Sequence, residues 1–221
     1  MISSGNTGKM VVFDLDDTLL QRRFIDVCAE RFNFSQALKL LRQLDHDSLT
    51  LTKRIAAFLK GKALTELTEI ADSIPLVEDV AHVIEELKRR NYVVGIISDS
   101  YQVVADRISE TIGADFCLAN ELQFEGRVLT GEVLIPSFFH YSADSKCRHQ
   151  VCKTNALQFA ARKFGVDLAN CIVVGDGEND ICMIRNSGVG IAFCTTSQLL
   201  SSAAKQQIRE RSFRKLLEYA P

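Results

Sequence analysis

The sequence predicts an α/β fold: a doubly wound, mostly parallel sheet with a small helical bundle inserted after its first strand. Three observations carry this expectation. Short Val/Ile-rich runs recur along the chain: Val11-Val12-Phe13, Val93-Val94-Gly95-Ile96-Ile97 and Cys171-Ile172-Val173-Val174. Each is nearly continuous in apolar residues, as a strand covered on both faces requires. Each run also stops abruptly at polar and acidic residues, and the stretches between runs repeat apolar residues at helical spacing.

Taken in order, residues 1–9 are polar and Gly/Ser-rich, without the apolar core of a signal segment, and read as a frayed terminus. The first strand covers Val11, Val12 and Phe13. Residues 21–74 read as four short helices. Phe24, Cys28 and Phe32 recur at four-residue spacing, as do Leu40 and Leu44, with Leu41 a turn after Leu38. Ser35 is a candidate cap for the second helix, Asp47 or Ser48 for the third, and Gly61 a candidate stop for the third. Leu51, Ile55, Phe58 and Leu59 form the third apolar face, and Leu64, Leu67 and Ile70 the fourth, before Pro75 breaks the run. The expected division is therefore an α/β core of residues 1–20 and 76–221, interrupted by a helical insert of residues 21–75.

The core resumes with an amphipathic helix over residues 77–90, whose face is Val80, Val83, Ile84 and Leu87, feeding a strand over residues 92–97. A helix over residues 103–112 closes at Gly113, and a short strand follows over residues 115–119. Leu122-Gln123-Phe124 and Arg127-Val128-Leu129 suggest a hairpin turned at Gly126. A helix over residues 155–164 ends before Gly165, a last strand covers residues 189–193, and helices follow around Gln198 and over residues 213–219.

Composition bounds the function. The 221 residues suit one large domain, or a core with an appendage, and 47% hydrophobic content is ample for a core. A net charge of −2 offers no footprint for nucleic acid or an anionic membrane, and no apolar stretch is long enough to span a bilayer. The seven cysteines include no CxxC pair or zinc-type spacing; Cys147 and Cys152, with four residues between them, are a weak metal signal. Most read as small apolar residues in a reducing, cytoplasmic compartment.

The chemistry lies where the strands end. Asp14, Asp16 and Asp17 follow the first strand, Ser98-Asp99-Ser100 the second, and Gly175-Asp176-Gly177-Glu178-Asn179-Asp180 the third. Clustered carboxylates at a buried strand end repel one another and lose hydration, so a divalent cation held by oxygen ligands is the economical compensation. The plainer alternative is a solvated acidic turn. Ligands of open α/β sheets bind outside the carboxyl ends of the strands, and three such ends converging on one edge favour a site.

Asp14-Leu15-Asp16-Asp17-Thr18-Leu19, then Ser98, Lys153 and Gly175-Asp176-Gly177-Glu178-Asn179-Asp180, resemble in order the four motifs of the haloacid dehalogenase superfamily. Within it the chain is similar to the phosphoserine phosphatase-like branch, which Leu129-Thr130-Gly131-Glu132-Val133 and Gly190-Ile191-Ala192-Phe193-Cys194 also resemble. The resemblance implies a Rossmann-like core, with the helical insert as a cap over the site; a bundle without a gating role is the alternative.

By the same resemblance, Asp14 attacks phosphorus and Asp16 protonates the leaving alkoxide, then takes a proton from the hydrolytic water. Mg²⁺ is implied between Asp14, Asp176 and the Asp16 backbone carbonyl. Ser98 donates to a phosphoryl oxygen and Lys153 supplies positive charge, with Lys146 and Arg148 as competing lysine and arginine. Asn179 and Asp180 orient metal-bound water or Lys153, or simply form an acidic helix start. Arg54 matches a cap arginine that holds a substrate carboxylate.

Three departures qualify the resemblance. Ser98-Asp99-Ser100 stands where that branch has Ser-Gly-Gly, so Asp99 and Ser100 become candidate substrate contacts. Arg22 and Arg23 replace a glutamate that would hold an ammonium, which favours a carboxylate or second phosphate if Arg23 faces the site, and a solvated helix start if it does not. Asp26 or Glu30 are candidate substitutes for that glutamate. Residues 135–149 are longer than usual and gather Phe138, Phe139, His140 and Tyr141, as a satellite core contact, a subunit interface or a substrate wall. His140 and His149 receive no role. The expected activity is Mg²⁺-dependent hydrolysis of a small, anionic phosphorylated metabolite. The alternatives are phosphotransfer to an alcohol, or an inactive regulatory module of the same fold.

Overall fold

In the computed structural model, which describes residues 8–44 and 47–221, seven strands form one sheet. They are β1 (Lys9–Phe13), β2 (Tyr92–Tyr101), β3 (Phe116–Glu125), β4 (Val128–Leu134), β5 (Cys171–Gly175), β6 (Val189–Phe193) and β7 (Gln206–Ile208). The order is β4-β3-β2-β1-β5-β6-β7, with every neighbouring pair parallel except the β3–β4 hairpin. β1 is thus central, and the doubly wound α/β expectation is borne out.

The continuous apolar runs are explained by burial on both faces. Val11 and Phe13 of β1 join Ile172 and Val174 of β5 in one apolar layer, while Met10, Val12, Cys171 and Val173 belong to the layer on the opposite face. Period-two alternation therefore exists in space but not in polarity. The helices α5 (Val80–Arg89), α6 (Gln102–Ile112) and α10 (Leu216–Tyr219) contribute to the first layer, and α7 (Lys153–Phe164), α8 (Ile181–Arg185) and α9 (Gln198–Ala203) to the second.

Between β1 and α5 lies the helical insert: α1 (Phe24–Arg31), α2 (Ser35–Leu44), α3 (Ser48–Ala57) and α4 (Leu64–Ser73). Its two ends leave the core side by side, because Gln21 N–H donates to the Pro75 carbonyl and Val77 N–H to the Leu19 carbonyl, both at 2.9 Å. Its far side meets the hairpin, where Gly61 N–H donates to Leu129 O at 2.8 Å and Leu64 N–H to Arg127 O at 2.9 Å. Of the candidate caps, Asp47 is the one that accepts, from Thr50 N–H at 2.8 Å. Ser35 is instead the first helical residue, and the Phe34 carbonyl receives the Leu38 N–H at 2.9 Å. α3 ends at Ala57, short of Gly61, which takes φ +78° in the following turn.

Other boundaries also shifted. β1 begins at Lys9, paired with Tyr92, so only residues 1–7 of the expected frayed terminus remain, and those lie outside the described residues. β2 runs through Ser98-Asp99-Ser100 to Tyr101, with a register shift after Ile97. In the 135–149 segment, Phe139 is buried against the α7 layer and Phe138 stacks on Phe159 at 5.5 Å. Among the described residues, no helix is long and apolar enough to cross a membrane.

Candidate active site

The acids predicted at strand ends meet at one edge of the sheet. Asp14 follows β1 directly: its N–H still donates to the Val174 carbonyl at 2.9 Å, so its position is fixed by the ladder to β5. Beyond it the chain turns sharply. Leu20 N–H reaches back to the Leu15 carbonyl at 2.9 Å, and Asp17 adopts a left-handed conformation, φ +58°, which Asp tolerates better than most residues. This wide turn sends consecutive carboxylates in different directions. Asp14 accepts from its neighbour Leu15 N–H at 2.7 Å, Asp16 accepts from Phe24 N–H at the start of α1 at 2.8 Å, and Asp17 pairs with Arg23 at 2.7 Å.

From the next strand, β5, come Asp176 and Asp180. Asp176 accepts from the buried Thr18 hydroxyl at 3.1 Å and stands 3.7 Å from the Arg23 guanidinium. Asp180, wholly buried, accepts from Gly177 N–H at 3.1 Å. Gly175 leaves room for it: a Cβ at that position would collide with the Asp180 carboxylate. One oxygen from each of Asp14, Asp176 and Asp180 lies within 4.8 Å of the others. The donors are hard oxygens, two of the residues are buried, and their repulsion calls for a cation, so the set fits a hard divalent ion. The Asp16 carboxylate, accepting from Phe24 N–H, lines the same cavity as Asp14.

Lys153 opens α7 and is 4% exposed. Its ammonium contacts Asp14 at 2.7 Å and Asp180 at 2.8 Å, with Asp99 farther off at 3.9 Å. Lys146 and Arg148, the competing basic residues, are absent from this contact. Ser98 is wholly buried, and its hydroxyl oxygen accepts from Ser100 N–H at 3.1 Å. Asp99 accepts from the Asn179 side chain at 2.9 Å, which joins the second strand end to the third.

These contacts set the electrostatics. Burial raises the Asp14 carboxyl to about 7, and Asp180 beside it adds to the shift; Lys153 lowers it only in part, because Asp180 competes for the same ammonium. Burial likewise pushes Asp16 up to about 7, opposed by the Phe24 N–H, and Asp176 to about 6, with Asp14 adding and Arg23 opposing. Burial also raises Asp180. For Lys153, burial alone would lower the ammonium value, but Asp14 and Asp180 outweigh it and hold the group firmly charged. Without a cation, the site carries more negative charge than it can hold comfortably.

A cavity of about 360 Å³ lies between these acids and the insert, lined by Asp14, Asp16 and Ser100 below and by Arg23, Arg42 and Ile55 above. Of the proposed substrate contacts, Arg23, Asp99 and Ser100 reach it, whereas Arg54 is exposed on α3 and does not line it. Arg23 faces the site but is engaged by Asp17. Asp26 and Glu30 also lie outside the lining; they pair with Arg42 and Arg22. Sequence reasoning missed Thr18 and Arg42. Thr18 could have been found from its place inside the acidic turn, but Arg42 reaches the cavity only through the packing of α2.

The chain is similar to known proteins over most of its length. The model of the haloacid dehalogenase-like hydrolase family matches residues 11–185. The phosphoserine phosphatase of Wolinella succinogenes is 30% identical over 218 residues, covering 96% of this chain and 99% of that one. That of Methanocaldococcus jannaschii is 29% identical over 217 residues, covering 96% and 97%. A solved phospho-aspartyl intermediate analogue of phosphoserine phosphatase superposes with a TM-score of 0.81 at 27% identity, covering 97% of this chain and 99% of that one.

Proposed function

The chain belongs to the haloacid dehalogenase-like hydrolase family, and from that premise we propose that it is a Mg²⁺-dependent phosphatase that hydrolyses O-phosphoserine through an aspartyl-phosphate on Asp14. The observation that carries this reading is the convergence of Asp14, Asp176 and Asp180 within 4.8 Å, with the Lys153 ammonium in contact with the first and third. Phosphoserine as substrate rests on the relatives, which span nearly the whole chain.

A phosphate monoester entering the cavity meets Asp14 at the end of β1. The Asp14 carboxylate attacks phosphorus, a P–O bond forms to the side chain, and the ester P–O bond breaks. The departing serine alkoxide takes its proton from Asp16, which the Phe24 N–H holds on the insert side of the site. Water then attacks the acyl phosphate, Asp16 takes a proton from it, and inorganic phosphate leaves with Asp14 restored. The Ser98 hydroxyl and Lys153 ammonium stabilise the phosphoryl oxygens as charge shifts onto them. Asp180 and Asn179 are positioning residues: Asp180 fixes the Lys153 ammonium, and the Asn179 amide donates to Asp99. Asp14, Asp176 and the Asp16 carbonyl would hold Mg²⁺, which would screen the repulsion between a carboxylate nucleophile and an anionic phosphate.

In this reading residues 21–75 form a cap that excludes water and recognises the amino-acid end of the substrate. The paired strand-like segments at Leu20 and Leu76 are its stem. Arg42, in the cavity wall, is the guanidinium placed to receive the substrate carboxylate. Seven free thiols suit a reducing compartment such as the cytoplasm.

The test is phosphate release from a panel of small phosphomonoesters, with Mg²⁺ and without it. Phosphoserine should give the highest kcat/KM, and activity should vanish without the cation. No release from any member in Mg²⁺, or phosphate passing to added alcohols in preference to water, would overturn the proposal.

A further inference from the structure

Beside the catalytic acids, but separate from them, the fold assembles a second group of metal-binding side chains. Cys147 and His149 lie in the 135–149 segment, Cys152 immediately precedes α7, and Cys182 is on α8. The first three sit within six residues of sequence, but the fourth comes from a different element, which is why the spacing carried only a weak signal. In space one donor atom of each residue lies within 4.8 Å of every other. The Cys182 thiol is 3.4 Å from His149 Nδ1.

From these contacts we infer that Cys147, His149, Cys152 and Cys182 form a structural zinc site, distinct from the catalytic cation site. A tetrahedral ion with Zn–S near 2.3 Å and Zn–N near 2.05 Å places its ligands roughly 3.5–3.8 Å apart. The observed Cys182–His149 separation matches that edge, and the 4.8 Å envelope requires only small side-chain adjustments to reach it elsewhere. Three soft thiolates and an imidazole select zinc over the hard cations that suit the carboxylate site. Four protein ligands complete the tetrahedron, so no position is left for substrate or water, as in structural rather than catalytic sites. All seven cysteines are unpaired, so no disulfide competes for these thiols.

The position gives the ion a task. Cys152 directly precedes Lys153, and Cys182 lies two residues after Asp180. Joining these two cysteines ties the start of α7 to α8, across the same gap that Lys153 and Asp180 bridge at 2.8 Å on the catalytic side. It also anchors the long 135–149 segment, which otherwise depends on contacts such as Asn155 donating to the Phe139 carbonyl at 3.0 Å and Tyr141 N–H to Gln150 O at 2.8 Å. His149, Cys152 and Cys182 line a neighbouring cavity of about 440 Å³ that reaches Lys153 and Asp99. The zinc is therefore a staple holding one wall of the active-site entrance, whichever phosphate ester the enzyme cleaves.

Metal analysis of the intact chain, purified without chelators, tests this. About one zinc per chain is expected, released when a mercurial blocks the thiols. Refolding or exchange with Co²⁺ in place of zinc should produce a thiolate-to-cobalt charge-transfer band and intense visible absorption typical of tetrahedral thiolate coordination. C147S and C182S should each lose at least about nine-tenths of the metal and the cobalt band, since each removes one ligand of four. D176N, which disables only the carboxylate site, should retain both. Circular dichroism of the serine variants separates loss of a ligand from loss of the fold, and the wild-type cobalt spectrum stands even if they misfold. Folded wild-type protein without zinc and without a cobalt–thiolate band would overturn the inference. So would zinc that departs in D176N but stays in C147S, or a disulfide among these cysteines found by mass spectrometry.

Discussion

Replacing Lys153 by Met removes a buried cation while keeping most of the side-chain volume. The ammonium lies 2.7 Å from Asp14 and 2.8 Å from Asp180, and all three groups are almost entirely buried. Breaking a buried ion pair by deleting one partner costs about 3–5 kcal/mol, because the remaining charge stays buried and uncompensated. For a domain of this size that corresponds to a thermal midpoint lower by roughly 6–20 °C. The loss depends on pH. Asp14 already stands at about 7 in the folded protein, against 3.8 for an unperturbed carboxyl, and Lys153 is one of the groups lowering it. Without Lys153 the folded-state value rises further, so an ionised Asp14 destabilises the fold, whereas protonated Asp14 does not. The deficit should therefore be larger at about pH 8 than at about pH 6, shrinking as the pH falls through about 7. Unfolding in Mg²⁺-free buffer without chelator, at two pH values, measures it. Turnover in Mg²⁺ should fall by about 10²–10³-fold, the usual loss when one preorganised charge donor is removed. A variant as stable as wild type at the higher pH, or one whose deficit grows on acidification, would refute the ion triad on which this reasoning rests.

Other perturbations separate the remaining roles. D14N should reduce phosphate release by at least about 10⁴-fold while leaving the fold intact by circular dichroism, since an amide cannot serve as the nucleophile. R42A should raise KM for phosphoserine by roughly 10- to 100-fold, the value of a charge-assisted hydrogen bond, with little change for an aryl phosphate that has no carboxylate. Gly175→Ala should lower stability by about 1–3 kcal/mol in denaturant titrations and lower kcat as well, because the added methyl displaces Asp180 and with it Lys153. Burial and mutual repulsion raise Asp14 to about 7 and Asp176 to about 6, so ionising them destabilises the metal-free fold as the pH rises through that window. The midpoint gain on adding Mg²⁺ should accordingly be larger at about pH 8 than at about pH 5.5 in scanning calorimetry, and a larger gain at the lower pH would contradict it.

The sheet was legible because its central strands are apolar on both faces and end in acids. Val11, Val12 and Phe13 leave little choice but burial, and Asp14 marks where burial must stop or be compensated. The insert was legible from its 3.6-residue periodicity, and Gly126 correctly marked the hairpin turn with φ +64°. What escaped was set by tertiary context. Ser98-Asp99-Ser100 has no strand propensity, yet β2 continues through it, because neighbouring β3 still pairs at Tyr101 across an irregularity. β7, the polar edge segment Gln206–Ile208, is a strand only because β6 offers it an edge.

At the site, strand ends led to the acids and Ser98, whereas Lys153, which opens α7, was reached through the resemblance to the family's motifs. Side-chain directions were not legible. Arg23 turns to Asp17 because the left-handed residue at Asp17 points its carboxylate there, and no spacing rule announces that conformation. Arg54 shares α3 with cavity-lining Leu51 and Ile55, yet faces outward. The thiol–imidazole cluster showed only as the weak Cys147–Cys152 signal for a related reason: Cys182 comes from another helix, and the packing of α7 on α8 brings it to Cys152.

The most direct measurement is identification of the phosphorylated residue. Protein mixed with radiolabelled phosphoserine in Mg²⁺ and quenched in acid should carry label, and peptide mapping should place it on Asp14, with none retained by D14N. Turnover without any trapped label, or label on another side chain, would contradict the account.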